Sequence, residues 1–297
     1  MAEVMRARVT RAELARLVAI AREAARVEIL PRFRSLAPDE VQSKSGPYDL
    51  VTIADERAER LVTARLLEMW PEALVIGEEA AARRPELRLE VASAALAVTV
   101  DPIDGTANYV AGVPLFGVMM AVLSYGEVLA SVILDPMTME AGVALRGEGA
   151  WIDRDGVELR RLRMAAAAPL QRMTGKAVWR HLPSRDPAQA DRTFRSVAAM
   201  WDFRCAAHEY LLTADGRAHF LLYTLSLPWD HLPGWLLLHE AGAYGARFDG
   251  RPYDPRDARG GLMYASDRAS WEMFAEALVI GPECNDLASK SIEAHVR

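Results

Sequence analysis

The chain of 297 residues is 51% hydrophobic and 26% charged, an ordinary globular composition that excludes disordered, collagen-like and low-complexity classes. Its 35 Lys and Arg against 41 Asp and Glu leave a formal charge of −6, which provides no electrostatic footprint for nucleic acid or an anionic membrane, so neither is expected as a partner. The two cysteines, Cys205 and Cys284, are too few for a disulfide framework and lack zinc-ligand spacing, which argues against structural zinc and points to a reducing cytoplasm.

Residues 1–17 intersperse Glu3, Arg6, Arg8, Arg11, Glu13 and Arg16 among apolar positions and contain no signal-peptide core, so no export is expected. Thr10 and Glu13 form a capping box, and Leu14, Leu17, Val18, Ala21 and Ala25 follow at helical spacing. This predicts a first helix over 11–30, stopping near Pro31. Ala58, Leu61, Val62, Leu66 and Met69 make a second apolar stripe and predict a helix over 55–70 that Pro71 ends. Residues 74–76 and 95–100 read as short apolar strands, and both finish on carboxylates, at Gly77-Glu78-Glu79 and at Asp101. Residues 117–124 and 128–134 form a hairpin about Tyr125-Gly126-Glu127, and 140–145 pairs with 150–153 across Arg146-Gly147-Glu148-Gly149. A largely antiparallel sheet follows. Pro114, Gly126 and Glu127 interrupt residues 112–134, so no stretch has the uninterrupted apolar length of a membrane helix. Beyond residue 160, strands at 177–179 and 218–222 alternate with helices at 186–200, 207–214 and 231–242, an α/β pattern, while residues 160–163 read as a solvated edge. The expected organisation is an α+β half over 1–160 and an α/β half over 161–297.

The densest chemical signal is Asp101-Pro102-Ile103-Asp104-Gly105-Thr106. Two carboxylates three residues apart at a strand end, with Pro102 fixing the turn and Gly105 letting the backbone approach closely, offer hard oxygen ligands suited to magnesium. A helix or turn starting at Gly105 would aim free N–H groups at a phosphate in the same space. In isolation this segment reads equally well as a strand followed by an Asx-type turn. It is not isolated. Gly77-Glu78-Glu79 and Trp229-Asp230-His231-Leu232-Pro233-Gly234 also put acids where apolar segments end, and Lys44-Ser45-Gly46-Pro47-Tyr48-Asp49-Leu50-Val51-Thr52-Ile53-Ala54-Asp55 precedes the second helix.

In order and spacing these four segments resemble the inositol monophosphatase family, the lithium-sensitive, magnesium-dependent sugar phosphatases, over about residues 44–242. The resemblance implies the family's layered αβαβα sandwich of the sugar-phosphatase type, an α+β half joined to an α/β half. It also implies a magnesium-dependent phosphomonoesterase for a small phosphorylated metabolite, with two to three Mg2+ ions per site and a homodimeric assembly. Carried over position by position, Glu78, Asp101 and the Ile103 carbonyl correspond to ligands of a first ion, and Asp101, Asp104 and Asp230 to those of a second. Asp55 and Thr106 match the pair that orients and deprotonates the attacking water, with Glu78 assisting, and Gly105 and Thr106 are the implied phosphate contacts. Lys44 resembles a mobile-loop lysine near the metals, and Arg204, Ala206 and Tyr223 fall at positions of the substrate pocket. Locally, Asp55 and Asp230 read just as well as helix caps, and Cys205 reads as a small pocket or core residue rather than a nucleophile. The six histidines are scattered, without metal-ligand spacing.

Three departures bear on the substrate. Tyr223 stands where inositol-specific members have a glutamate, Arg204 where a glycine is usual, and Ala111 where a histidine is common. They leave inositol phosphates, histidinol phosphate, fructose 1,6-bisphosphate and 3'-phosphoadenosine 5'-phosphate open as substrates. A non-catalytic regulator that binds RNA polymerase or ribosomal factors is the alternative of a different class, against which the intact Glu78, Asp101, Asp104, Thr106 and Asp230 argue.

Overall fold

The computed structural model describes residues 7–46, 49–84, 86–177, 182–255, 261–282 and 284. Helix α1 (Arg11–Ala24) starts at the capping box: Thr10 N donates to the Glu13 carboxylate at 2.7 Å, and Glu13 N donates to Thr10 Oγ1. It does not stay α-helical to residue 30. The backbone widens to a π-turn over Ala25–Ile29 and tightens to a 3-10 turn over Leu30–Arg32, because Pro31 has no N–H to give and its ring crowds the preceding turn. An antiparallel hairpin of β1 (Val41–Gly46) and β2 (Asp49–Thr52) comes next; its polar sequence gives no strand signal. Helix α2 (Ile53–Met69) begins two residues before the predicted start, because Thr52 is its cap.

The first half continues through β3 (Leu74–Gly77), α3 (Glu78–Arg83), α4 (Leu87–Glu90), β4 (Ala97–Asp104), α5 (Thr106–Val110), β5 (Gly117–Ser124), β6 (Glu127–Leu134), β7 (Ala141–Leu145), β8 (Gly149–Arg154) and β9 (Val157–Arg161). Strands β3 to β9 form a seven-stranded sheet in chain order, parallel between β3 and β4 and antiparallel thereafter. Edge strand β9 is exposed along its whole length and carries Arg160 and Arg161 into solvent. The second half supplies β10 (Thr174–Ala177), α6 (Pro187–Ser196), β11 (Ala199–Trp201), α7 (Ala206–Ala214), β12 (Phe220–Tyr223), α8 (Pro228–Glu240), β13 (Tyr244–Arg247), β14 (Leu262–Ala265) and α9 (Arg268–Ala277). Its mixed five-stranded sheet has the order β11-β10-β12-β14-β13. The strand expected at 177–179 lies at 174–177, with Trp179 outside the described residues. The helix expected to reach 200 stops at Ser196, where Val197 turns extended (φ −72°, ψ 156°) and the chain joins the sheet edge as β11.

Three apolar clusters stack these elements into five layers. The first, with Leu14, Leu17, Val62 and Leu66, joins α1 and α2 to Val98, Val100, Val118, Met120 and Val132 on one face of the seven-stranded sheet. The second, with Tyr210, Leu232, Leu236 and Leu237, fills the space around α7 and α8, between Met119, Ala121 and Ile133 on that sheet's other face and Leu221, Leu262 and Tyr264 on the five-stranded sheet. The third packs Phe194 of α6 and Trp271 and Phe274 of α9 on Phe220, Leu222 and Met263. The result is a layered αβαβα sandwich. Strand β5 is buried on both faces, which is why it reads as an unbroken apolar run rather than an alternating one.

Gly234 lets α8 approach α7 closely: a Cβ there would overlap the fully buried Tyr210 ring. Gly234→Ala is therefore expected to destabilise the fold by about 1–2 kcal/mol despite alanine's better helix propensity, read as a lower urea midpoint at unchanged slope.

Candidate active site

The site is assembled where β3, β4, α5 and α8 end or begin. In a regular strand, side chains three residues apart point to opposite faces, so Asp101 and Asp104 would be separated. A bulge in β4 changes this. Asp101 pairs with Met119 and Asp104 with Gly117, so β4 has one more residue than β5 between the two pairs, and both carboxylates reach the same cleft. Gly105 then takes φ 86° to start α5, and an added Cβ would fall 2.9 Å from the Leu115 carbonyl oxygen. Asp230 sits in the first turn of α8 rather than at its cap, which is Leu227, and Pro228 rather than Pro233 occupies the first helical position. The Asp230 carboxylate is thus available to the cleft.

Glu78, Asp101 and Asp230 bring carboxylate oxygens within 4.8 Å of one another. They line a cleft of about 270 Å³ with Ile103, Asp104, Gly105, Thr106, Ala107, Asp49, Leu50 and Arg204. Burial, then the neighbouring carboxylates, push Asp101 and Asp230 well above the usual carboxylate range. Burial also raises Glu78, with Lys44 opposing. The Lys44 ammonium lies 2.6 Å from Glu78 Oε1 and 2.8 Å from Glu79 Oε1, and these acids hold its pKa up against the effect of burial. A cluster made of hard oxygen donors, half-buried and mutually repelling, fits a divalent cation such as magnesium and is unsuited to soft metals.

Asp55 serves two ends at once. Its Oδ2 accepts from Thr52 N at 2.8 Å and Thr52 Oγ1 at 2.6 Å, closing the capping box of α2, while Oδ1 lies 3.2 Å from Thr106 Oγ1. Thr106 Oγ1 is also 2.9 Å from the Ile103 carbonyl oxygen, so its single proton is shared between two acceptors. Burial raises Asp55 to about 7, with the Thr52 bonds opposing. Asp104 is held from the other side, accepting from Ala207 N at 2.6 Å and from the buried Cys205 thiol at 3.0 Å. Burial keeps that thiol protonated, which leaves Cys205 a packing and donor group.

Two expected pocket residues are placed elsewhere. Tyr223 is buried behind the cleft rather than lining it, because its hydroxyl donates to Glu209 Oε2 at 2.9 Å and its ring stacks on Tyr210. Ala206 opens α7 behind Asp104, to which its N–H is bonded, and does not line the cleft. Arg204 does line it. The sequence reading missed Asp49, Leu50 and Ala107 in the lining, and Glu59, Lys176 and Glu209 behind it. Glu59 accepts from Glu79 N and Ala80 N and so fixes the start of α3. For Lys176 and Glu209 the available signal was a lone charge inside an otherwise apolar strand or helix. The rings of His208, His219 and His231 are bonded to Phe116 O, Thr174 and Tyr210 Oη, the last at 2.8 Å, and none of the four described histidines lines the cleft; His181 and His295 lie outside the described residues.

A family model described as the inositol monophosphatase family matches residues 11–281. The chain belongs to that family. An inositol-1-monophosphatase of Rhizobium meliloti is 30% identical over 227 residues, covering 73% of this chain and 81% of the relative. The Nus factor SuhB of Escherichia coli K12 is 30% identical over 221 residues, covering 72% and 78%. Among solved structures, a Thermotoga maritima IMPase superposes with a TM-score of 0.76 at 20% identity, covering 94% of this chain and 99% of that one. The Bartonella henselae extragenic suppressor protein suhB gives 0.73 at 24% identity, covering 90% and 98%. These structural likenesses carry the fold. Family membership supports a phosphatase. No helix among the described residues is long and apolar enough to cross a membrane.

The raised acids are expected to make stability depend on pH. Asp55 and Glu79, both raised by burial to about 7, stay protonated in the fold up to that pH, whereas in the unfolded chain they ionise near pH 4. Their contribution is therefore full below about pH 4 and lost as pH rises to about 7. His231, lowered to about 3 by burial and then by Lys176, acts in the opposite sense, losing stability as pH falls below about 6.5. Because the raised acids outnumber it, the thermal midpoint in chelator is expected to fall between pH 5 and pH 7.5. Magnesium is expected to raise the midpoint more at pH 7.5 than at pH 5, which thermal unfolding in the two buffers measures.

Proposed function

We propose that this chain is a magnesium-dependent phosphomonoesterase that hydrolyses a small phosphorylated metabolite with a water as nucleophile. The observation that carries this reading is the convergence of Glu78, Asp101 and Asp230 within 4.8 Å in the cleft that also contains Thr106. Glu78, Asp101 and the Ile103 carbonyl would hold one ion, and Asp101, Asp104 and Asp230 a second, with Glu78 open to a third. Bound divalent ions supply Lewis acidity to the attacking water and positive charge to the phosphoryl oxygens.

The chain's own groups do the rest. Thr106 lines the cleft, and its Oγ1 orients the water and passes a proton toward Asp55 Oδ1, whose pKa near neutrality suits a proton acceptor, while Glu78 assists. The backbone at Gly105 and Thr106 contacts the phosphate. Lys44 offsets the charge of Glu78 and Glu79. Relatives named as inositol-1-monophosphatase and as fructose-1,6-bisphosphatase/inositol-1-monophosphatase support a sugar or polyol phosphate as the substrate class. Relatives named as Nus factors keep a regulatory, protein-binding role as the second reading. A homodimer in the cytoplasm is the assembly and compartment proposed with this function.

Phosphate release from a panel of phosphomonoesters is expected to require added magnesium and to stop in excess chelator; full activity in chelator overturns the metal-dependent reading, and no activity on any substrate favours the regulatory one. Asp101→Asn is expected to abolish both magnesium binding, followed by calorimetry, and turnover. Thr106→Ala is expected to keep magnesium binding and lose about 100-fold in kcat, the scale of a positioned proton-transfer group. Near-normal turnover in that variant would rule out the Asp55–Thr106 assignment.

A further inference from the structure

We propose that Arg204 reads a second anionic group on the substrate, and that Glu209 is the residue that positions it. The inference rests on the phosphatase reading and narrows its substrate class to phosphomonoesters whose alcohol portion carries another phosphate or a carboxylate. Arg204 is exposed and lines the cleft beside Leu50 and Ala107. Its backbone has φ 52°, the left-handed region, which is strained for a residue with a Cβ. Such strain persists only where the surroundings impose it, and here they do so on both sides of residue 203. Phe203 N donates to Glu209 Oε1 at 2.9 Å, and Asn108 Nδ2 donates to the Phe203 carbonyl oxygen at 2.7 Å. Arg204 N in turn donates to Asp202 Oδ1 at 3.0 Å.

Glu209 is itself over-determined. It is 1% exposed, accepts the Tyr223 hydroxyl on Oε2 and has Lys176 Nζ 3.4 Å from the same oxygen, while that ammonium lies 3.6 Å from the centre of the Tyr223 ring. A charged pair this deep costs desolvation and is weak support for stability alone. Its effect in this fold is to fix one peptide, and that peptide precedes the arginine of the cleft. The guanidinium is a permanently charged planar fork, matched to a carboxylate or phosphate in two-point contact. Tyr223 offers no second contact on this side, since its hydroxyl is given to Glu209.

Two compounds that differ at one group test this: 2-phosphoglycerate carries a carboxylate where glycerol 2-phosphate carries a hydroxymethyl. With magnesium, wild type is expected to prefer the first by about tenfold in kcat/KM, the low end for a charge-assisted contact at an exposed site. Arg204→Ala should bring the ratio near one and Arg204→Lys should restore part of it. Glu209→Gln should lower the ratio at least threefold through KM for 2-phosphoglycerate, a readout that simple loss of stability does not move. If Glu209→Gln does not fold, Tyr223→Phe, which removes a single bond to Glu209, serves for the same measurement. A wild-type ratio near one, or a ratio indifferent to Arg204→Ala, overturns the assignment of Arg204; a ratio indifferent to Glu209→Gln overturns the positioning role. Dissociation constants of both compounds by calorimetry give the same ratio without turnover. A chain that binds the pair unequally but hydrolyses neither therefore overturns the phosphatase reading alone.

Discussion

Carboxylates crowded closely enough to repel one another, Asp101 buried and the others half-buried, are the constraint around which this molecule is arranged. Glu78, Asp101, Asp104 and Asp230 come from the start of α3, the end of β4 and the first turn of α8, and no single element would bring them together. Holding such a group needs a rigid frame, because each acid would otherwise rotate away from the others into water. The sandwich provides it: β4 is buried on both faces, α8 is packed between the two sheets, and α3 is fixed by Glu59 at its first N–H groups. The same crowding that makes the cluster costly when metal-free suits its oxygens to a hard cation.

Several of these acids also terminate secondary structure, and the two duties are divided between oxygens or between neighbours. Asp55 gives Oδ2 to the cap of α2 and Oδ1 to Thr106. Asp104 receives the first N–H groups of α7 while standing in the cleft. A capping residue has its backbone and rotamer fixed by the helix it starts, so the oxygen Asp55 turns to Thr106 inherits that precision. The local reading of Asp55 as a cap and its reading as a site residue are therefore compatible, whereas Asp230 caps nothing and belongs to the cleft alone.

The wall opposite the acid cluster is built on a different principle. A layer of aromatic rings, Tyr210, Tyr223 and Tyr264, closes the space between α7, α8 and the five-stranded sheet, and a buried lysine and glutamate are threaded through it. Tyr223 could not act as a substrate contact once Lys176 and Glu209 were its neighbours, because its hydroxyl had a nearer charged acceptor. The polar surface left at the mouth is that of Arg204, Asp49 and the backbone of α5.

The long helices, the apolar strands β3 to β8 and the acids at their ends were legible in the sequence, because apolar periodicity and strand-terminal carboxylates are local features. So were Glu78, Asp101, Asp104, Thr106 and Asp230 as residues of one cleft, since their motifs lie close in sequence or at the family's spacing. The hairpin β1–β2, edge strands β9, β11 and β13 and the partner strand β14 were not, because short or polar strands take their pairing from neighbours that are distant in the chain. The bulge that turns Asp101 and Asp104 to one face, the π-turn before Pro31 and the burial of Tyr223 all depend on what packs against each segment. Tertiary structure alone decided them: residue type sets which bonds a side chain can make, but only the assembled layers determine which partner is nearest and whether water competes for it.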